Sequence, residues 1–394
     1  MSRICNANVD LFKGRKVEIY PTEEQKEKIS VLIDIYRTVF NIGLDIQNKN
    51  YESGNKYIQC YNMFKIFSDL RNNNEEYTWL NAVQQSTIRQ SLFDLDNAFK
   101  RFFNKISKYP KFKSKKNAKK SFTVRSNRCY IHGKYIRIPE LGMVNAKNHH
   151  IPENVNLYNT TITFDGYRYW FSCKVETPRI DMSEVPKSNI LGIDVGIRTM
   201  IATSEGEFYK YSDVTKYEKR LKRLQRRLSK HYKKYQLESD RTKIKYEDIP
   251  KSKNMQKLSE KAYKTSRKII NKLHNDINTA TKKIVSKNPK LIVIEDLNTT
   301  KILQSQKWIR KYTKHVLFYE IRRQIEYKAK DRNIPVLIAD SNFASSKICS
   351  NCGNIRNIGS NHTYKCSICG LKIDRDLNAA YNLRNLGYQS IQLT

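Results

Sequence analysis

The sequence predicts a mixed α/β protein with three parts: a small antiparallel β-barrel, a helical insertion and a C-terminal α/β domain. Segments of alternating apolar and polar residues flank residues 21–109, where apolar residues recur at helical spacing. The C-terminal half instead has short, fully apolar strands separated by long helices, a pattern typical of an α/β sheet. Two CxxC pairs near the C-terminus predict an inserted metal-binding loop.

The chain carries a large excess of positive charge. Its 394 residues include 74 Lys and Arg against 38 Asp and Glu, a formal net charge of +36. Such a chain repels itself unless a polyanion neutralises it, and each neutralised phosphate releases counterions. Because the basic residues are spread over nearly the whole chain, we expect a nucleic-acid partner. A basic protein without a special partner is the alternative.

The sequence gives no sign of membrane association or of secretion. No stretch approaches 18 consecutive apolar residues, and the first residues, "MSRICNANVDLFKGRK", lack the apolar region of a signal peptide. Four of the eight cysteines lie in the CxxC pairs, and the others are scattered. This is a metal-binding pattern rather than a disulfide framework, so we expect an intracellular protein.

The N-terminal half begins with the strand "KGRKVEIY", followed by helices that start at the N-cap Thr22. The clearest helix is "VQQSTIRQSLFDLDNAFKRFFNKI", whose polar face carries Gln85 and Arg89. Its apolar stripe predicts a core face. The stripe consists of Ile88, Leu92, Leu95, Phe99, Phe102 and Ile106.

A basic run with interleaved aromatic residues, "KYPKFKSKKNAKKSF", follows the helices. Lys111 and Lys113 lie beside aromatic rings, a combination that suits phosphate contacts together with base stacking. A solvated loop is the alternative. The alternating segments that come next, among them "YIRIPEL" and "TITFDGYRYWFSCKVE", predict antiparallel strands. With the first strand, they suggest a barrel that the helices interrupt.

The CxxC pairs are Cys349, Cys352, Cys366 and Cys369. Each pair presents two thiolates to one ion, and the thirteen-residue loop between the pairs returns the chain to complete a tetrahedron. We therefore predict one structural zinc ion, because four sulfur ligands leave no open position for catalysis. An iron–sulfur site is a minor alternative on the same ligands.

Acidic residues lie at the ends of apolar segments in the C-terminal half. Asp194 stands within "GIDVG", Glu295 ends "LIVIE", and Asp374 and Asp376 begin the last helix. Burying a lone carboxylate is costly, so each needs a partner. A helix cap or a salt bridge would serve for any one of them. For the set, we predict two magnesium ions, which activate water and stabilise the leaving oxygen of a phosphodiester.

The order of these segments is that of the RNase H fold, in which a sheet brings distant acids together. The cysteine loop interrupts the last connection of this layout. We therefore expect the zinc ion to make the loop rigid and to fix where the terminal helix and its acid dock.

Several motifs, in the same order, resemble the TnpB family of transposon-encoded, RNA-guided DNA nucleases and the related miniature type V CRISPR effectors. The motifs are "GIDVGIRTMIAT", "LIVIEDLN", "SSKICSNCG", "YKCSICG" and "DRDLNAAYNL", with weaker matches in "EIYPTEEQ", "LFDLDNAFKRFF" and "YPKFKSK". The resemblance implies a RuvC-like nuclease with Asp194, Glu295 and Asp376 as its catalytic set. Asp376 is favoured over Asp374 because the family's acid directly precedes "x-N-A".

The resemblance also implies a guide RNA and a double-stranded DNA target in a prokaryotic cytoplasm. The N-terminal half would read a short motif beside the target, with Gln85 and Arg89 as candidate readers of base edges. One nuclease site would cut both strands in turn. Binding without cleavage, a DNA transposase acting on element ends and a guide-free junction resolvase are the competing hypotheses.

These expectations divide the chain as follows. The assignments are 1–20 and 110–180 to an oligonucleotide-binding-like barrel (wedge), 21–109 to a helical recognition insertion, 181–188 to a linker, 189–345 and 371–394 to a RuvC/RNase H-like domain, and 346–370 to a zinc ribbon.

Overall fold

The computed structural model describes most of the chain. The described residues are 3–5, 12–115, 120–124, 126–146, 149–176, 188–196, 199–243, 249, 251–296, 318–340, 342–357, 359 and 361–392. They form two compact units: the first unit is residues 11–178, and the second unit is residues 1–10 with 179–394. No helix within the described ranges has the length and apolarity needed to cross a membrane. The predicted linker lies outside these ranges except for Ser188.

Strand β1 (Arg3–Cys5) belongs to the second unit, and the described residues of the first unit form seven strands. The strands are β2 (Phe12–Ile19), β3 (Ser121–Thr123), β4 (Tyr130–His132), β5 (Tyr135–Ile138), β6 (Gly142–Asn145), β7 (Leu157–Phe164) and β8 (Tyr169–Glu176). They form two antiparallel sheets, β2-β8-β7-β3 and β4-β5-β6. The N–H of Tyr20 donates to the carbonyl of Asn145 at 2.7 Å and joins the sheets around one apolar core. Closure into a barrel stays a prediction.

Helices α1 (Glu23–Glu52), α2 (Cys60–Asn73) and α3 (Gln85–Phe103) lie between β2 and β3 in the chain, and their role as a recognition insertion stays a prediction. The start of α1 is fixed by a capping box, in which the Thr22 hydroxyl accepts from the Gln25 N–H at 3.3 Å. The Gln25 amide also donates to the carbonyls of Leu141 and Met143, each at 3.0 Å. One side chain therefore both caps α1 and anchors it to strand β6.

The stripe of α3 is buried over most of its predicted length, at Ile88, Leu92, Leu95 and Phe99. The prediction is wrong at its end, because the helix stops at Phe103 and Ile106 is 66% exposed. Lys105 adopts a left-handed conformation with φ of +56°, which reverses the chain and takes Ile106 off the stripe.

The second unit is built on a six-stranded sheet of order β1-β13-β12-β9-β10-β11. Its strands are β1 (Arg3–Cys5), β9 (Leu191–Asp194), β10 (Ile201–Thr203), β11 (Phe208–Tyr209), β12 (Ile292–Glu295) and β13 (Val336–Ala339). Strand β12 runs parallel to β9 and β13, and the outer strands are antiparallel to their neighbours. Residues 3–5, which we assigned to the barrel, therefore belong to this sheet. Three residues show too little alternation to reveal their partner.

Among the described residues, four helices accompany the sheet: α4 (Thr215–Thr242), α5 (Lys253–Ser286), α6 (Phe318–Lys330) and α7 (Arg375–Gln392). Helices α5 and α6 pack against the sheet face that carries Leu191, Ile193, Ile292 and Ile294. Helix α7 packs against the other face, where Ile190, Leu291 and Val293 lie. Basic helix α4 packs against α5 through Leu224 and Leu228.

The hairpin β14 (Thr363–Lys365) and β15 (Lys372–Asp374) precedes α7 and carries the second cysteine pair at its turn.

Candidate active site and metal centre

Four cysteine sulfurs converge in the loop before α7. The ligand atoms of Cys349, Cys352, Cys366 and Cys369 all lie within 4.8 Å of one another. The sulfurs of Cys349 and Cys369 are 3.6 Å apart, and those of Cys352 and Cys366 are 3.5 Å apart. Four sulfurs at tetrahedral positions around one zinc ion would be about 3.8 Å apart. The donors fit a single zinc ion, as predicted, better than a multi-iron cluster whose cysteines bind separate irons.

The thiols in this loop differ in how readily they lose their protons. The backbone N–H of Cys369 lowers the pKa of Cys366 to about 6. In contrast, the pKa of Cys352 rises to about 12: the Asn354 N–H favours its thiolate, but burial and the hydrogen bonds from the other cysteines outweigh it. Four thiolates repel one another, so full ionisation requires a cation, and zinc binding would release protons.

Two of the predicted acids end neighbouring parallel strands. Asp194 is the last residue of β9 and Glu295 the last of β12, and the register Ile294 to Ile193 places them side by side. Side chains alternate along a strand. Because Ile193 and Ile294 face α5 and α6, Asp194 and Glu295 project to the face that α7 covers.

Glycines let α7 approach this face closely. A Cβ on Gly192 would lie 2.1 Å from the carbonyl oxygen of Ala380, and one on Gly387 would lie 2.8 Å from Ile190. Later residues of α7 thus lie beside earlier residues of β9, so the helix runs antiparallel to the strand. Asp376 precedes Ala380 by one helical turn and therefore lies toward the Asp194 end of β9.

The carboxylates interact electrostatically. Burial and the charges of Glu295, Asp376 and Asp374 raise the pKa of Asp194 well above its usual range, and Arg375 opposes this shift. Burial also raises the pKa of Glu295, against a hydrogen bond from Ser345 and the charge of Arg375. Such repulsion between buried carboxylates is what a divalent cation would relieve.

The acids do not form a closed ligand set in the same way as the cysteines. In the described part of the chain, the cysteine group alone brings three or more His, Cys, Asp or Glu ligand atoms close enough for one ion. The magnesium site therefore stays a prediction, supported by electrostatic coupling rather than by convergent oxygens.

Comparisons with known proteins cover nearly the whole chain. Three protein-family models match parts of the chain. One described as a helix-turn-helix domain matches residues 12–56, one described as a probable transposase matches 171–306, and one described as a Cas12f1-like TNB domain matches 318–383. The putative RNA-guided DNA endonuclease InsQ of Escherichia coli K12 is 27% identical over 95% of this chain and 92% of InsQ. TnpB-like protein L79 of Acanthamoeba polyphaga mimivirus is 23% identical over 97% of this chain and 74% of L79.

The chain resembles the TnpB family along nearly its whole length. The predicted resemblance is thereby confirmed. A cryo-EM structure of a Cas12f1–sgRNA–target DNA complex aligns over 95% of this chain and 99% of that chain, at 16% identity and a TM-score of 0.34. That score is too low to support an inference.

The two aspartates at the start of α7 have different surroundings. The carboxylate of Asp374 accepts from the N–H groups of Asp376 and Leu377, at 2.9 and 3.1 Å, and so caps α7. Asp374 is exposed, whereas Asp376 is partly buried. This difference supports the choice of Asp376, which stays a prediction.

The candidate nucleic-acid residues lie in the first unit. Gln85 and Arg89 are exposed one turn apart at the start of α3, where Arg89 lies over the ring of Phe64 at 5.6 Å. Lys111 is exposed. Lys113 is more enclosed: its Nζ lies 3.4 Å from the centroid of the Phe40 ring, and burial lowers its pKa. The roles of all four in binding stay predictions, and Lys113 has the most evident structural partner.

Sequence reasoning missed three residues around the acids and cysteines. The charge of Arg375 lowers the pKa of Asp194 and Glu295, Ser345 also lowers the pKa of Glu295, and Asn378 holds the cysteine loop against α7. Arg375 was visible in "DRD" as a base between two acids. Ser345 and Asn378 act through long-range contacts that no local pattern indicates.

Proposed function

We propose that this protein is a TnpB-family, RNA-guided DNA endonuclease with one magnesium-dependent, RuvC-like site. The observation that carries the proposal is that Asp194 and Glu295 end neighbouring parallel strands, β9 and β12, on the sheet face covered by α7, the helix that begins beside Asp376. InsQ, which bears the name of a putative RNA-guided DNA endonuclease, aligns over nearly its full length. The proposal extends that activity to this chain.

Asp194, Glu295 and Asp376 would hold the metal. Two magnesium ions bound there would activate a water and stabilise the oxygen that leaves the phosphodiester. The chain's own part is to keep these carboxylates together despite their repulsion. The sheet register fixes two of them, and Arg375 offsets part of the negative charge.

A single site serves both DNA strands in this proposal, because we identify one set of acids at a sheet edge and the sequence contains no second nuclease motif. The strands would have to enter the site one after the other. The four-cysteine zinc site, with its four sulfurs already converged, would have a structural role beside it.

Guide RNA and target DNA are the proposed partners. Helix α4 presents a dense row of exposed basic side chains suited to phosphate contacts. They are Lys216, Lys219, Arg220, Lys222, Arg223, Arg226, Arg227, Lys230, Lys233 and Lys234. Reading of a target-adjacent motif by Gln85 and Arg89 belongs to the same proposal.

The test is cleavage of a plasmid library by protein purified with its RNA, whose sequence is read at the same time. We expect cleavage that depends on Mg²⁺, on the co-purified RNA and on a matching target. Glu295→Ala should abolish cleavage and leave guided binding intact.

The same assay separates the alternatives. Binding without cleavage in the wild type would favour a guided DNA-binding protein. Cleavage or joining of element ends without RNA would favour a transposase, the activity that the model matching residues 171–306 describes. Cleavage that survives Glu295→Ala would refute the assigned site.

A further inference from the structure

One short segment, residues 345–350, touches both parts of the second unit that bear on metal binding. It carries the zinc-ligand candidate Cys349, which is 1% exposed. At its start, the carbonyl of Ser345 accepts a hydrogen bond from Asn382 of α7 at 2.7 Å. Along its length it is hydrogen-bonded to α7, the helix that begins with Asp376. The segment therefore connects the cysteine site with the carboxylate site.

Asn378 bonds to both peptide groups that flank Cys349. Its Nδ2 donates to the carbonyl of Ile348 at 2.7 Å, and its Oδ1 accepts from the N–H of Ser350 at 3.0 Å. The side chain is fully buried, so neither bond competes with water. Asn378 follows Asp376 by two residues in the first turn of α7, so a shift at Cys349 must move this turn or break these bonds.

Asn382 extends the same connection by one turn. Its Nδ2 donates to the carbonyls of Ser345 and Ile348, each at 2.7 Å, and it is 4% exposed. Two successive turns of α7 are therefore hydrogen-bonded to the segment that carries Cys349. Apolar side chains would suffice at 378 and 382 if these positions served only to pack the helix. The two asparagine amides instead satisfy three backbone groups of the loop, namely the carbonyls of Ser345 and Ile348 and the N–H of Ser350.

We propose that Asn378 is a positioning residue that couples the two metal sites. Zinc on the four cysteines fixes Cys349, Asn378 transmits that position to Asp376, and Asn382 holds the next turn of α7 to the same segment. Occupancy of the cysteine site then sets the affinity of the carboxylates for a divalent cation. The inference rests on the proposed function only in treating these acids as cation ligands.

The experiment measures Mn²⁺ binding to the full-length protein by electron paramagnetic resonance, before and after zinc is removed by a chelator. Mn²⁺ binding that is lost in Asp194→Ala is assigned to the carboxylate site. In the wild type, zinc removal should weaken Mn²⁺ affinity about 10-fold, as loss of an outer-shell partner does. In Asn378→Ala the affinity should be weakened already, and zinc removal should change it less than about 2-fold.

A matched control is Asn385→Ala. Asn385 lies on the same side of α7, but its single bond to the Ser350 carbonyl is 3.4 Å long and the residue is only partly buried. This variant should keep the wild-type response to zinc. An Asn378→Ala protein that responds to zinc as the wild type does would overturn the proposal. So would wild-type affinity that is unchanged by zinc removal, a result that needs no variant to fold.

Hydrogen exchange at residues 374–382 provides a readout that is independent of cation binding. Zinc removal should raise exchange there in the wild type and in Asn385→Ala, with little further rise in Asn378→Ala or Asn382→Ala. If no protein binds Mn²⁺ or cleaves DNA while exchange follows this pattern, the coupling stands and the proposed function fails. If exchange ignores zinc while cleavage is normal, the coupling fails and the function stands.

Discussion

The two candidate metal sites of the second unit differ in how the chain assembles them. The four cysteines lie between Cys349 and Cys369, and their sulfurs already converge to within 4.8 Å. The three carboxylates come from β9, β12 and α7, and their charges raise the pKa of Asp194 rather than closing a ligand set. A local loop therefore builds the first site, whereas the second requires the whole fold.

This difference fits the two proposed roles, a structural one for the cysteines and a catalytic one for the acids. A closed site of soft ligands stabilises the fold once filled and has no free position. A cluster of buried carboxylates is unfavourable until a cation enters, so the fold must hold it together by other means. Close packing of Gly192 against α7 and the register of β9 with β12 are those means.

The largest expected effect is the loss of cleavage in Asp194→Ala. Removing a ligand to the proposed catalytic ions should cost several kcal/mol of transition-state stabilisation, or at least about 1,000-fold in rate. Zinc content, measured by mass spectrometry, should stay at one per chain. Loss of zinc together with activity would contradict the separation of the two sites.

Cys366→Ser should instead lose zinc and keep part of the cleavage activity. We expect zinc to fall well below one per chain and cleavage to drop by about 10–100-fold rather than vanish, because the acids remain while their support is loosened. Cys129→Ala, which removes a scattered buried thiol of the first unit, should keep its zinc. A Cys366→Ser protein with full zinc content would disprove the four-cysteine site.

Gly192→Ala tests the packing that holds the acids together. The new Cβ would lie 2.1 Å from the Ala380 carbonyl and 2.5 Å from the Arg384 N–H nitrogen, and backbone atoms cannot move aside cheaply. We expect the free energy of unfolding, from urea titration, to fall by about 1–3 kcal/mol, with reduced cleavage.

The matched control for this change is Gly14→Ala. A Cβ at Gly14 meets nothing within 4 Å, and the variant should change stability by less than about 0.5 kcal/mol. Equal stability of the two variants would show that α7 does not lie as close to β9 as described.

The smallest expected effect is a gain of stability in Asp194→Asn without metal. Burial and the neighbouring acids raise the pKa of Asp194 in the folded state, so between its unfolded and folded pKa values the native state binds more protons. Wild-type stability should therefore fall as pH rises through that window toward neutrality. At pH 7.5 the neutral amide should raise Tm by roughly 2–4 °C per kcal/mol gained. Magnesium should stabilise the wild type and not the variant; a variant with lower Tm in EDTA would contradict the carboxylate repulsion.

The sequence predicted the elements that carry strong local patterns. Apolar strands that end in an acid identified Asp194 and Glu295, and CxxC spacing identified the four cysteines. It was less informative where a long-range contact or a single backbone angle decides the outcome. Strand β1 pairs with residues more than 300 positions away, Lys105 ends α3 before Ile106, and Asn378 bonds to a loop that comes earlier in the chain.

The pairing of β1 with β13 also bears on how the protein folds during synthesis. Ile4 pairs with Leu337, so the first strand must wait for 333 further residues to be made. At about 5–20 residues per second, that delay is roughly 15–70 s. Residues 12–176 are synthesised long before β13, so the first unit has time to fold on the ribosome while β1 still lacks its partner strand. Addition of β1 to the edge of β13 is then among the last folding steps, which a pulse-labelling experiment on stalled chains would detect.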